Sequence, residues 1–480
     1  MRSWHFLICS DGTKWSLLLR PAVLPTSRRR SPLPAVPPAA LATSLLKLLP
    51  PVALPRLPLP VGRLTSQKES LLPAVPPVAL ATSKPHFLPD NVPGGKCLTG
   101  NLDYYSDIPI TIEMQGDDMK QYFSFQWHIT DECDQRCKHC YIFSGDPCRK
   151  LDSMTWKQME DTFYNCLDFC EVYGRLPYFY LTGGDPILHQ DFWRLLELFH
   201  EHNVPFTIMG NPFHLNDQIC RELKTLGCQK YQLSLDGLRE THDWFRKPGS
   251  FDCTLEKIGC INRAGIRSVI MTTVSKQNRM EVPGIIDAAV KAGVKVFAFS
   301  RYVPSGGELD TSMTPQEYRE LLAMCDRKFK EYEAEGCETY FNKKDHLWTL
   351  YEYETGAFQI PASACDGMIY GGCNCGNCHI TILPTGDVYA CRRVADSKVG
   401  NVFEDRLADI WITSMEAYRN YDAFSKCSRC KLLRFCRGCP AVAKGYTGDF
   451  YGDDPQCWAC EENGLLTSNT EANQNESCSA

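Results

Sequence analysis

The stretch FQWHITDECDQRCKHCYIF, residues 125–143, decides how the rest of the chain is read. It carries Cys133, Cys137 and Cys140 in a C-x3-C-x2-C spacing. A hydrophobic run from Tyr122 to Ile129 leads straight into it and predicts a buried strand. The three thiols then fall on a loop just past a strand's carboxyl end, where open and barrel α/β folds place their chemistry. Three cysteines this close suit one soft metal centre. A [4Fe–4S] cluster normally takes four thiolates, so three from one loop leave one iron for a substrate. Zinc is the blander reading. It wants four ligands, often in paired C-x2-C spacings, and His139 adjoins Cys140 too closely for easy shared tetrahedral coordination.

Outward from that loop, residues 122 to about 302 alternate strand and helix patterns. Strands are expected at 122–129, 178–182, 206–210, 230–235, 268–273 and 295–300, and amphipathic helices at 155–170, 191–202, 216–226, 254–264 and 280–292. Thr155-x-x-Gln158 is a capping-box pattern. Six βα units imply a parallel sheet with right-handed crossovers. Residues 311–364 read as a charged helical bridge, with Thr314-Pro315 as a helix start. Residues 365–460 are dense in cysteine and glycine, with short strands near Ile380–Leu383 and Asp387–Ala390. The tail, 461–480, is polar and expected to be disordered.

Residues 1–113 read differently. The first 95 are rich in Pro, Ala and Leu and repeat LPAVPPAALATS (33–44) as LPAVPPVALATS (72–83). Prolines recur too often for a helix or a central strand, and no apolar span is long enough for a bilayer. We expect a disordered, dispensable segment, with Met114 and Met119 as alternative starts.

The chain has 480 residues, net charge −6 and 26 cysteines. Its basic residues form no long block beyond Arg28-Arg29-Arg30, which argues against nucleic acid as a partner. The cysteines bunch at 133–140, 373–391 and 427–460. Bunching of this kind fits metal ligation in a reducing cytoplasm better than disulfides. Cys166, Cys170, Cys220, Cys228 and Cys260 fall in helical patterns and read as core residues.

C-x3-C-x2-C after the first strand resembles the radical S-adenosylmethionine (SAM) enzymes. The resemblance implies a partial (β/α)6 TIM-type barrel whose [4Fe–4S] cluster chelates the amino and carboxylate groups of SAM. One electron then splits SAM to methionine and a hydrogen-abstracting 5′-deoxyadenosyl radical. His139 stands where the family has an aromatic, offering a planar side chain and backbone contacts to adenine. Thr182-Gly183-Gly184-Asp185-Pro186, an ordinary turn by itself, resembles the family's Gly-Gly-Glu-Pro motif, which holds SAM's amino group. Asp185 is one methylene shorter than Glu, so the carbonyls of Gly183 or Gly184 would share that contact. Ser234 and Asp236 close the fourth strand and, by resemblance, touch SAM's ribose or carboxylate. Arg246, an available carboxylate partner, and Asn278 sit on the same rim, as does Pro304-Ser305-Gly306.

Cys373-x12-Gly386-x4-Cys391, then Cys427-x2-Cys430-x5-Cys436-x2-Cys439 and Cys457, resembles the SPASM domain and its two auxiliary [4Fe–4S] clusters. The usual x3 between the fifth and sixth cysteines is x2 here. Carried over, Cys427, Cys430, Cys436 and Cys457 would bind the outer cluster. Cys373, Cys391 and Cys439 would bind the inner one, with Cys375 or, preferably, Cys378 as fourth ligand. Cys365 and Cys460 are spare. The resemblance spans 122–460 and implies a maturase that cross-links, oxidises or epimerises a ribosomally made peptide or a protein. Its expected partners are that substrate, a ferredoxin- or flavodoxin-like electron donor and, in place of a winged-helix domain, a separate leader-peptide-binding protein. Alternatives are a haem-precursor enzyme, suggested by Tyr446-Thr447-Gly448-Asp449, and a sulfatase-maturase-like oxidase. The latter carries Asp where this chain has Arg392. A non-catalytic zinc or iron–sulfur scaffold also remains open.

Overall fold

The computed structural model describes residues 121–143, 150–304, 311–365 and 367–467. The expectations for residues 1–113, for Met114 and Met119, for Ser305-Gly306 and for 468–480 lie outside the described residues. Six parallel strands and their helices run in the expected order. They are β1 (Tyr122–Thr130), α1 (Trp156–Val172), β2 (Leu176–Gly183), α2 (Phe192–Glu201), β3 (Phe206–Met209) and α3 (Asp217–Thr225). Then come β4 (Cys228–Ser234), α4 (Arg239–Phe245), α5 (Ser250–Arg263), β5 (Arg267–Val274), α6 (Val282–Lys291) and β6 (Val296–Arg301).

Strand periodicity explains the layering. In β1, Phe123, Phe125, Trp127 and Ile129 are buried beneath the helices, while Ser124, Gln126 and His128 alternate onto the other face. The helix-side face is cemented by rings: Phe125 stacks on Phe179 at 5.3 Å and Phe179 on Phe199 at 4.7 Å. Thr155 caps α1, with Gln158 returning the bond. Cys166, Cys170, Cys220 and Cys260 are helical core residues as expected; Cys228 is equally buried but opens β4 rather than lying in a helix. None of the described cysteines is in a disulfide.

Two features depart from the sequence reading. The expected helical bridge holds α7 (Pro315–Ala334) and α8 (Leu347–Glu354), but between them β7 (Tyr340–Asn342) adds a seventh parallel strand beside β6. The cysteine-rich segment adds to the same sheet, which the sequence reading did not foresee. Its β8 (His379–Ile382) pairs parallel to β1, followed by β9 (Asp387–Tyr389) and β10 (Lys398–Asn401), so one ten-stranded sheet runs β10-β9-β8-β1-β2-β3-β4-β5-β6-β7. The sheet also curls. Arg393, just past β9, donates to Arg301 O at 3.0 Å and Ser300 Oγ at 3.2 Å, at the end of β6. Helices α9 (Leu407–Ile412) and α10 (Pro440–Thr447) complete the fold. Among the described residues no helix is long and apolar enough to cross a membrane.

Candidate functional site

The cysteine loop leaves the carboxyl end of β1 and is held by the turn after β2. Gly184 N donates to Thr130 O at 2.8 Å and Asp185 N to Glu132 O at 2.7 Å. A Cβ on Gly183 (φ +137°) would lie 2.0 Å from Thr130 O, and one on Gly184 2.0 Å from Glu132 O. The two glycines therefore let the turn lie against the cysteine loop's own backbone, where the sequence reading had them admit a ligand.

Donors already face the sulfurs of that loop. Cys133 Sγ accepts from Asn211 Nδ2 at 3.2 Å and from Gln135 N at 3.4 Å. Cys137 Sγ accepts from Arg246 Nη1 at 3.8 Å, while its thiol donates to Gln135 Oε1 at 3.2 Å. Burial, against the pull of Arg246 and with smaller pushes from Cys140 and Cys133, raises the Cys137 thiol to about 11. Such thiols keep their protons unless a metal replaces them. The three sulfurs do not all lie within 4.8 Å of one another, but Cys140 and Cys133 both act on Cys137, and the N–H donors aimed at sulfur with an adjacent guanidinium suit an anionic iron–sulfur centre.

Asp185 sits under this loop with its side chain fully buried. Its Oδ1 accepts from Asn211 N at 3.4 Å, and its Oδ2 has no partner. Burial pushes the carboxyl up to about 7, partly opposed by the Asn211 N–H. An orphaned buried carboxylate oxygen is an acceptor suited to an ammonium group. This is the feature of the structure that best fits SAM's amino group.

Asp236 is committed elsewhere. Its Oδ2 accepts from Arg246 Nε and Nη2, each at 2.6 Å, and lies 3.3 Å from His139 Nε2; its Oδ1 accepts from Thr273 N at 2.8 Å. Burial alone would raise this carboxyl, but Arg246 and then His139 outweigh it and hold the group well below the usual carboxylate range. Asp236 thus anchors Arg246 beneath Cys137 and has little acceptor capacity left for a ligand. His139 is tied to Asp236 and packs edge-on against Phe245 at 5.2 Å. Asn278 is internal too, donating to Asp236 O and Thr273 O, both at 2.8 Å, and accepting from Ser275 N. Ser234 is the member of the motif whose half-buried hydroxyl has no protein partner among the described residues.

The C-terminal cysteines gather into two groups. Cys373, pushed up to about 11 by burial, has Cys391 and Cys378 beside it. Cys375 neighbours Cys373, Cys391 and Cys439. The second group joins Cys427, Cys430, Cys436 and Cys457. Both Cys375 and Cys378 lie in the first group, so the loop offers two thiols beyond Cys373. N–H groups face sulfur here as well, Leu432 N to Cys430 Sγ and Gly438 N to Cys436 Sγ, both 3.4 Å. Gly372 (φ +81°) fastens the groups together: a Cβ there would lie 2.1 Å from Cys436 O.

Sequence reasoning missed Asn211, which serves Cys133, Asp134 and Asp185 at once. Its position just past β3, at the rim of a parallel sheet, was the available signal. Tyr141 was also missed; the Arg392 guanidinium lies 4.5 Å over its ring.

Residues 127–289 match the radical SAM superfamily, and residues 373–440 match the SPASM iron–sulfur cluster-binding domain. The AdoMet-dependent heme synthase of Methanosarcina barkeri is 26% identical over 350 residues, covering 69% of this chain and 95% of that protein. The mycofactocin maturase MftC of Mycolicibacterium smegmatis is 26% identical over 345 residues, covering 69% and 81%. Streptococcus suis SuiB shares the fold. Its SAM-bound structure has a TM-score of 0.56 at 21% identity, covering 71% of this chain and 78% of that one. SuiB also has a structure bound to its precursor peptide SuiA, with a TM-score of 0.55 at 20% identity. With iron–sulfur clusters and SAM as its cofactors, the chain is an enzyme of the radical SAM superfamily that carries a SPASM domain.

Proposed function

We propose that the enzyme matures a ribosomally made peptide or a protein, forming a cross-link, oxidising or epimerising a residue of it. Cys133, Cys137 and Cys140 hold the SAM-binding cluster. When bound, cluster and SAM supply a hydrogen-abstracting 5′-deoxyadenosyl radical. Asp185 accepts SAM's amino group, and the Ser234 hydroxyl serves its ribose or carboxylate. Asp236 and Arg246 hold the cysteine loop and lend it positive charge, with His139 and Asn278 as supports. Cys427, Cys430, Cys436 and Cys457 form the outer auxiliary site; Cys373, Cys391 and Cys439, with Cys378, form the inner one. A ferredoxin- or flavodoxin-like donor supplies the electron, a separate protein presents the leader peptide, and the setting is a reducing cytoplasm.

The contact between Arg392 and Tyr141 supports this reading most directly. Tyr141 follows Cys140 and Arg392 follows Cys391, so the SAM loop and the inner auxiliary segment meet at this contact. Similarity to the mycofactocin maturase MftC favours the maturase reading. A haem precursor is the second reading, favoured by the match over 95% of the heme synthase. The test is anaerobic incubation of the reconstituted enzyme with SAM, reductant and either a short peptide encoded beside its gene or iron coproporphyrin. We expect a mass change in the peptide that tracks 5′-deoxyadenosine. Turnover of the porphyrin alone would overturn the peptide reading.

A further inference from the structure

Asn211, just past β3, reaches the cysteine loop with its side chain and the turn after β2 with its backbone. Its Nδ2 donates to Cys133 Sγ at 3.2 Å and to Asp134 Oδ1 at 2.9 Å. Both neighbours are acceptors, so the amide stands with its nitrogen, not its oxygen, toward the sulfur. Asp134 is held in turn: Lys247 Nζ lies 3.3 Å and His214 Nε2 3.7 Å from its Oδ2. Lys247 itself rests 4.2 Å over the Phe213 ring, on the same loop as Asn211. The backbone of Asn211 is fixed from both sides. Its N donates to Asp185 Oδ1 at 3.4 Å, and its O accepts from Tyr231 Oη at 3.3 Å. A Cβ on Gly210 would lie 2.6 Å from Tyr231 Oη and 2.9 Å from Asp185 Oδ1, so a glycine is needed for this approach. Asn211 is 7% exposed, and water competes little for its N–H. The other N–H on this sulfur, Gln135 N at 3.4 Å, belongs to the cysteine loop's own backbone.

We propose that Asn211 is a positioning residue that raises the reduction potential of the SAM-binding cluster through its amide N–H on Cys133. Hydrogen bonds to ligand sulfur are among the levers that set such potentials. One electron from the donor adds negative charge that the sulfur ligands share, and an N–H bond to sulfur strengthens with that charge. Asn211 therefore favours the reduced form. Its side chain serves the sulfur and its backbone serves Asp185, so the two effects are separable by substitution. The proposal rests on the reading of Cys133 as a ligand of that cluster.

The test is a potentiometric titration of the reconstituted enzyme, followed by electron paramagnetic resonance. The cluster in question is picked out by the change that SAM makes in its signal. Asn211→Leu keeps the size of asparagine and loses the N–H. At a fixed potential the reduced-to-oxidised ratio of that cluster should fall about fivefold, the worth of one hydrogen bond. Iron content, melting curve and SAM affinity should stay as in the unaltered enzyme, because the backbone bond to Asp185 remains. A second measurement needs no substitution. Asparagine labelled with heavy nitrogen in its side-chain amide should give that cluster a nitrogen coupling, which Asn211→Leu should remove. An unmoved midpoint in the variant, or no coupling in the labelled enzyme, would overturn the proposal. Loss of iron or of SAM binding together with the potential would place Asn211 in the fold alone and overturn it too. If no cluster of the unaltered enzyme responds to SAM, the assignment of Cys133 fails first, and the proposal falls with it before any variant is made.

Discussion

Arg246 joins two motifs about 100 residues apart in sequence: its Nε and Nη2 hold Asp236 and its Nη1 faces Cys137. Its side chain is 13% exposed and that of Asp236 0%, so neither charge has water to fall back on. Arg246→Ala should cost about 3–5 kcal/mol in urea unfolding, because it strands a buried carboxylate. Adding Asp236→Asn should recover much of that loss; an unchanged midpoint in the single variant would show the pair to be unimportant. Asp185 gives a pH prediction. Its folded-state value of about 7 lies above an ordinary Asp value of about 3.9. In protein without SAM, its contribution to stability is therefore full below the ordinary value and is lost as pH rises through 7, with a slope of about 1.4 kcal/mol per pH unit. Asp185→Asn should flatten that part of the profile, and an identical slope in both proteins would refute the assignment. Cysteine spacing made the sulfurs legible in the sequence, and the Ser-x-Asp motif pointed to the rim. Sequence could not reveal that Asp236 is already spoken for, or that Asn211 reaches Cys133. Those facts depend on side chains meeting across strands.

At the scale of elements, short apolar runs set between amphipathic stretches made β1 to β6 readable, and the capping box of α1 was visible as Thr155-x-x-Gln158. Strand β7 was not, because three residues carry too little periodicity, and its neighbours read as helix. The seven-residue α4 was hidden for the same reason. The pairing of β8 with β1 joins residues some 250 apart and leaves no local trace. The turn after β2 shows how an element serves the site. Gly184→Ala would drive a methyl into Glu132 O, so the loop carrying Cys133 must shift. We expect a stability loss of about 1–3 kcal/mol and a larger proportional loss of iron from the first cluster, read by iron analysis against the melting curve. Full iron retention would mean that the turn does not hold the loop.

At the scale of the whole molecule, the cysteine-rich segment belongs to the barrel's sheet. Ile380 and Ile382 are fully buried, and Ser124 N reaches Cys378 O at 3.2 Å. Barrel and SPASM segments should therefore unfold in one transition, seen alike by circular dichroism and by loss of cluster absorbance under urea. Two separated transitions would show independent domains. Removing everything after residue 364 should give insoluble protein, since the β1 edge would lie bare. The central claim is that Cys133, Cys137 and Cys140 carry the centre that cleaves SAM. It is tested most directly by anaerobic incubation with dithionite and SAM, quantifying 5′-deoxyadenosine. The unaltered enzyme should form it and Cys133→Ala should form none; equal yields from the two would contradict the account.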